Sequence, residues 1–184
     1  EILKFNPTHL SCYHLTIEDG TYFGHLEKNK KIKRIEDDIS QQEFRWISEK
    51  LKSKNYQHYE ISNFAVQGKE SFHNSNYWNQ SSYIGLGRGA HSFRNSTRRW
   101  NISNNRLYIK NIKAGIPFFE KEVLSPYDIV NEKIMLGLRT LNGLDKEHVF
   151  SIVPKAIKEG IERKLNTFLK DEILLSTNNI ISMN

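Results

Sequence analysis

The stretch "HYEISNFAVQGKESFHNSNYW", residues 58–78, governs how this sequence is read. Its first seven residues, "HYEISNF", predict a strand. Alternation puts Tyr59, Ile61 and Asn63 on one face and His58, Glu60, Ser62 and Phe64 on the other. Residues 65–82 are polar and irregular. In α/β folds the loops after strand C-termini carry the chemistry. That makes the end of the stretch, "HNSNYW", the first place to look for a site.

The segments on either side give the fold class. Before the stretch, "HLSCYHLTI" (residues 9–17) predicts a largely buried strand, and Asp-Gly in "EDGTYF" a turn. "DDISQQEFRWISEKLKSKNY" (residues 37–56) predicts a helix with Ile39, Phe44, Ile47 and Leu51 near the helical period. Asp38 or Ser40 is its expected cap, with acids in the first turn and lysines in the last. After the stretch, "YIGLGRGAHSF" (residues 83–93) is a strand or loop of small residues, and "NNRLYIKNIKAG" (residues 104–115) a helix stopped by Gly115. Strand, helix, strand, loop, strand, helix is an α/β order.

The character changes after residue 116. A helix is expected over residues 128–140 behind Pro126, then "DKEHVFSIV" and "PKAIKEGIERKLNTF" as two more, the last started by Pro154. Two short strands around Asn178 and Asn179 complete a winged-helix pattern. The expected domains are residues 1–116 and 117–184.

The 184 residues are 38% apolar and 26% charged, with no apolar run of membrane-spanning length. The single cysteine, Cys12, excludes an internal disulfide and a cysteine-held zinc or iron–sulfur site within this chain. A reducing, cytoplasmic setting fits. The net charge of +6 concentrates in "KNKKIKR" (residues 28–34) and "RNSTRRW" (residues 94–100). Such runs are either solvated loops or attract phosphates or an anionic membrane surface, the latter as a peripheral contact. Nucleic acid is not an expected partner. The first basic run lies far from the winged-helix pattern, and "KAIKEGIERK" mixes both signs.

Three groups of residues are candidates for chemistry. If residues 73–78 are helical, His73 and Tyr77 share a face and Trp78 adjoins it. An imidazole beside two aromatic planes suits a flat ligand, with nitrogen on iron and rings on a macrocycle. The alternative puts Tyr77 and Trp78 in the core, His73 in a loop hydrogen bond and Asn74 at a turn. Gly85, Gly87 and Gly89 alternate before Ala90, which allows close approach of a ligand or of another backbone. They lack the spacing of a dinucleotide fingerprint. His14, Thr16 and Glu18 would share a strand face, for acid–base work or for a structural hydrogen bond. No nucleophile triad, phosphate loop or paired-carboxylate site is visible.

"HLSCYHLTIEDGTYF", "YEISNFAVQGKESFHNSNYW", "YIGLGRGAHSF" and "EKIMLGLRTLNGL" come in the order and spacing of a known family. The chain resembles the C-terminal half of oxygen-independent coproporphyrinogen III oxidase-like proteins, which are radical S-adenosylmethionine (SAM) proteins. Within them it resembles the haem-chaperone (HemW-type) branch. The resemblance implies the last strands of an incomplete (β/α)6 barrel followed by a small winged-helix-like domain. It implies a [4Fe–4S] cluster and SAM in the full-length parent, held by a CxxxCxxC motif that this sequence lacks. The chain is therefore expected to be a fragment and to perform no radical chemistry alone. No residue of this chain is expected to be catalytic or to ligate a resident metal.

The resemblance also places sites. His-Asn-x-x-Tyr-Trp, here His73, Asn74, Tyr77 and Trp78, is the branch's haem-binding motif. It assigns His73 to the iron or its neighbourhood and the two rings to the porphyrin. The SAM side of the family corresponds to Leu15, Thr16, Ala90 and His91. Arg88 departs from the family's small residue or proline, which questions close approach there or supplies a partner for an anion such as a propionate. The implied function is a haem-binding chaperone with a haem-accepting protein as partner. The alternative is oxidative decarboxylation of coproporphyrinogen III to protoporphyrinogen IX.

Overall fold

Residues 56–66 fold as two strands, not one. In the computed structural model, which describes residues 1–184 throughout, "HYEIS" does not run straight into "NF". β2 (Tyr56–Glu60) turns back at Ile61 and Ser62 into β3 (Asn63–Val66), with a register irregularity between His58 and Glu60. The single-strand alternation therefore fails, and Glu60 and Asn63, placed on opposite faces by it, are buried together.

The chain divides into two units, Glu1–Glu70 and Ser71–Asn184. In the first, β1 (His9–Ser11) pairs with β3, giving an antiparallel sheet of order β1-β3-β2. α1 (Tyr22–Lys28) and α2 (Asp37–Lys52) lie between β1 and β2 in sequence. The predicted first strand ends at Ser11. Beyond it, residues 12–18 have no regular structure, and Tyr13 and Leu15 are exposed rather than buried. α2 forms as its periodicity demands, but neither Asp38 nor Ser40 caps it. Glu36 stands at the N-cap without a side-chain bond. Its apolar stripe meets the core only at its end, where Leu51 joins Tyr56 and Phe64, with Leu3, Leu10, Cys12 and Ile47 around them. Ile39 and Phe44 stay exposed.

In the second unit, α3 (Phe72–Trp78) precedes β4 (His91–Arg94) and β5 (Thr97–Asn101). α4 (Asn105–Ala114) comes next, capped by Asn104 and ended by Gly115 at φ 66°. β6 (Phe119–Val123) then returns to β5 in a sheet of order β4-β5-β6. The basic run "RNSTRRW" is the β4–β5 hairpin, turning at Asn95 and Ser96, both at positive φ. The run at residues 28–34 is a turn bearing surface ion pairs, Lys28–Asp19 at 3.4 Å and Arg34–Glu27 at 3.0 Å.

α5 (Pro126–Gly137) opens on a capping box between Ser125 and Asp128, with Pro126 in its first turn. β7 (Leu144–Asp145), α6 (Lys146–Ile152), α7 (Lys155–Lys170), β8 (Leu174–Thr177) and β9 (Ile180–Met183) complete the chain, with the last sheet ordered β7-β9-β8. Val130, Leu144, Val149, Val153, Leu165, Leu174 and Ile181 form one core between these helices and that sheet. β6 lies just past residue 116 and pairs with β5, and the first helix after it is capped by Ser125.

The fold is thus mixed α/β. The α/β alternation implies parallel strands, yet every strand pair within this chain is antiparallel.

Candidate functional site

"SFHNSNYW" becomes a helix because Ser71 caps it, its hydroxyl accepting from the Asn74 N–H at 3.3 Å. Helical spacing then sets His73 and Tyr77 one turn apart, ring edge to ring face, with centroids 5.0 Å apart. His73 is exposed, and Phe72 beside it is 89% exposed. Asn74 and Trp78 are half-buried, so of the four motif residues His73 and Tyr77 stand most open.

Sequence reasoning missed the ring that continues this pair. Tyr83 packs edge-on against Tyr77 at 4.8 Å and tilts against Phe93 at 6.4 Å. Nothing in "SSYIG" announces it, because an isolated antiparallel bridge between Tyr83 and Phe93 places it. Burial, then the neighbouring Tyr77, pushes the Tyr83 phenol up from its ordinary pKa.

The other candidates fall in different units. Leu15 and Thr16 are exposed in the first unit, on the irregular segment after β1. Ala90 and His91 lie in the second, where Ala90 accepts from the Asn101 N–H and the exposed His91 ring stacks on Trp100 at 6.4 Å. His14 finds Glu43 of α2 at 3.8 Å rather than Glu18. The glycine run serves the backbone. A Cβ on Gly85 would strike the His91 carbonyl, and Gly87 and Gly89 turn at φ 99° and 65°. Arg88 is exposed and donates to the Ser103 carbonyl at 3.1 Å.

No three His, Cys, Asp or Glu side chains converge as a metal site. Cys12 packs against the first core, and burial raises its thiol pKa, away from the thiolate a metal requires. An exposed imidazole amid rings suits instead a group that brings its own metal and needs one axial nitrogen.

No family model matches the sequence. The haem chaperone HemW of Bacillus subtilis is 31% identical over 172 residues, 89% of this chain and 45% of that protein. HemW of a Synechocystis species is 33% identical over 146 residues, 77% of this chain and 35% of that one. Over most of its own length the chain is a relative of the HemW-type haem chaperones. It spans less than half the length of these HemW relatives. The fold is that of coproporphyrinogen III oxidase (HemN) from Escherichia coli, described as a radical SAM enzyme. The match has a TM-score of 0.72, covers 100% of this chain and 46% of that one, and has 16% identity.

Proposed function

We propose that this chain is the C-terminal portion of a haem chaperone, with α3 as the place where haem, its cargo, is met. The observation that carries the reading is the exposed His73 imidazole, edge-on to Tyr77 beside the fully open Phe72. Haem supplies its own iron and a wide apolar face. His73 offers the axial nitrogen, and Phe72 and Tyr77 offer apolar surface. Asn74 and Trp78 support the helix from its half-buried side.

In this reading SAM and a [4Fe–4S] cluster belong to the longer relatives, since Cys12 alone cannot hold a cluster. Leu15, Thr16, Ala90 and His91 are the residues of this chain proposed to face SAM. Residues 1–116 are read as barrel segments whose strands find further partners in the longer protein. Residues 117–184 are read as winged-helix-like, on the order α5-β7-α6-α7-β8-β9. The protein is proposed to act in the cytoplasm and to hand haem to an acceptor protein. No helix is long and apolar enough to cross a membrane, and any membrane contact in this reading is peripheral.

The test is haem titration of the chain and of His73→Ala, monitored at the Soret band. Saturable binding with a ligand-type spectrum is expected for the chain. His73→Ala is expected to shift that spectrum and weaken binding roughly tenfold, about 1.4 kcal/mol. Identical spectra and affinities would remove His73 from the site. The oxidase reading is kept alive by the likeness of fold to HemN. Formation of protoporphyrinogen IX from coproporphyrinogen III by the full-length protein would favour it.

A further inference from the structure

The β4-β5-β6 sheet sorts its charges by face. Directly paired residues of an antiparallel sheet share a face. Arg98 therefore lies with its neighbour Glu122, and it is neutralised there by Glu122 at 3.7 Å and Glu132 at 2.6 Å. The pairs Ser92–Arg99, Arg94–Thr97 and Arg99–Lys121 lie on the opposite face. That face carries Arg94, Arg99 and Lys121, and no carboxylate of the sheet, since Glu120 and Glu122 pair with Trp100 and Arg98.

Neither Arg94 nor Arg99 has a carboxylate within ion-pair distance. Arg99 is held ready: its guanidinium lies 4.5 Å from the centre of the Phe119 ring, and its Nε is buried without a hydrogen-bond partner. A stacked, partly desolvated guanidinium with no carboxylate partner is suited to bind an anion. Beside it opens a cleft of about 520 Å³, bounded by Tyr83, Ile84, Phe93, Arg94, Thr97 and Arg99. The cleft is apolar along most of its wall and cationic at one side.

We infer that Arg94 and Arg99 form a carboxylate-binding site for a flat, apolar ligand bearing acid side arms, the class to which a porphyrin with its propionates belongs. The identity of the ligand rests on the haem-chaperone proposal; the geometry does not. The Tyr83 ring, bridged to Phe93, lies with Tyr77 on the Arg98 face, so the arginine site occupies the opposite face of the sheet from the one that meets the motif helix. The arginine site contributes through charge, whereas His73 would contribute through iron.

Metal-free protoporphyrin IX separates the two, because it leaves His73 no iron to ligate. It and its dimethyl ester are titrated against the chain, H73A, R94Q and R94Q/R99Q, with porphyrin fluorescence as the signal. The free acid is expected to bind the chain and H73A within about twofold of each other, and R94Q/R99Q about tenfold or more weakly. The ester should bind the chain as weakly as the acid binds the double variant. R94Q, at an exposed position, should fold normally and lose about threefold. Equal binding of acid and ester by the chain overturns the inference, as does unchanged binding by both arginine variants. If haem spectra ignore H73A while protoporphyrin binding tracks the arginines, the His73 reading falls and this site stands. If H73A alters haem binding while the arginine variants do nothing, the reverse holds.

Discussion

Glu60 is a carboxylate that the fold has taken out of water. Only 4% of it is exposed. It accepts from the Asn63 side chain and, at 3.5 Å, from the Ser62 N–H, while Ser11 donates onward to the Asn63 carbonyl oxygen. Burial raises its pKa from the ordinary carboxylate value. The Ser62 bond, then His58 and His9, offset this only in part. The folded chain thus keeps a proton that the unfolded chain gives up near pH 4. Stability from this group is greatest below the unfolded pKa, falls as pH rises towards the raised folded value, and is flat above it. Glu60→Gln should flatten that slope in denaturation midpoints measured from about pH 4 to pH 7. Glu60→Ala should instead cost about 1–3 kcal/mol by stranding the Asn63 amide. An undiminished slope in Glu60→Gln would assign the pH dependence elsewhere. The residue types of this network are plain in "YEISNF", yet their meeting is not. Ile61 and Ser62 give no glycine or proline signal for the turn that brings Glu60 and Asn63 together. The His73–Tyr77 pair, by contrast, comes from spacing alone once Ser71 starts a helix.

Among elements, those with their own punctuation are readable. α4 stops at Gly115, α5 starts at Pro126, and the last hairpin turns at Asn178 and Asn179, where both φ angles are positive, 48° and 67°. Two left-handed residues between short strands make the turn type that suits the strand twist, and asparagine tolerates it. Asn178→Ala should lower stability by about 1 kcal/mol. Asn178→Gly, free of the Cβ penalty, should stay within about a few tenths of a kcal/mol of the parent. Equal thermal midpoints for the two variants would mean that the turn relaxes without cost. β5 and β6 are illegible for the opposite reason. "TRRWN" and "FEKEV" show no apolar alternation, and they are strands because they pair with each other and with β4. The first strand is overextended in the sequence because Tyr13 and Leu15 look like core residues, yet they face solvent.

At the scale of the whole molecule, the Ser71–Asn184 unit is joined around one carboxylate. Glu132, on α5 and only 19% exposed at its side chain, accepts from Arg98 of β5 at 2.6 Å and from Gln80, just past α3, at 3.3 Å. The helical group, the central sheet and the segment leaving the motif helix therefore share one acceptor. None of this is visible as spacing, since Gln80, Arg98 and Glu132 are 18 and 34 residues apart. Removing the carboxylate in Glu132→Ala leaves a half-buried Arg98 with only Glu122, at 3.7 Å. Because Arg98 is about one-third exposed, the loss is discounted to about 1–2 kcal/mol. Glu132→Gln, which can still accept, should lose less. The segment freed by the change holds Gln80 and leads into Tyr83, the ring behind Tyr77. Amide exchange should therefore quicken across residues 79–83 and β5 in Glu132→Ala, while β2 and β3 of the other unit keep their protection. Unchanged exchange at residues 79–83 would mean that the Tyr83–Phe93 bridge alone holds the ring in place.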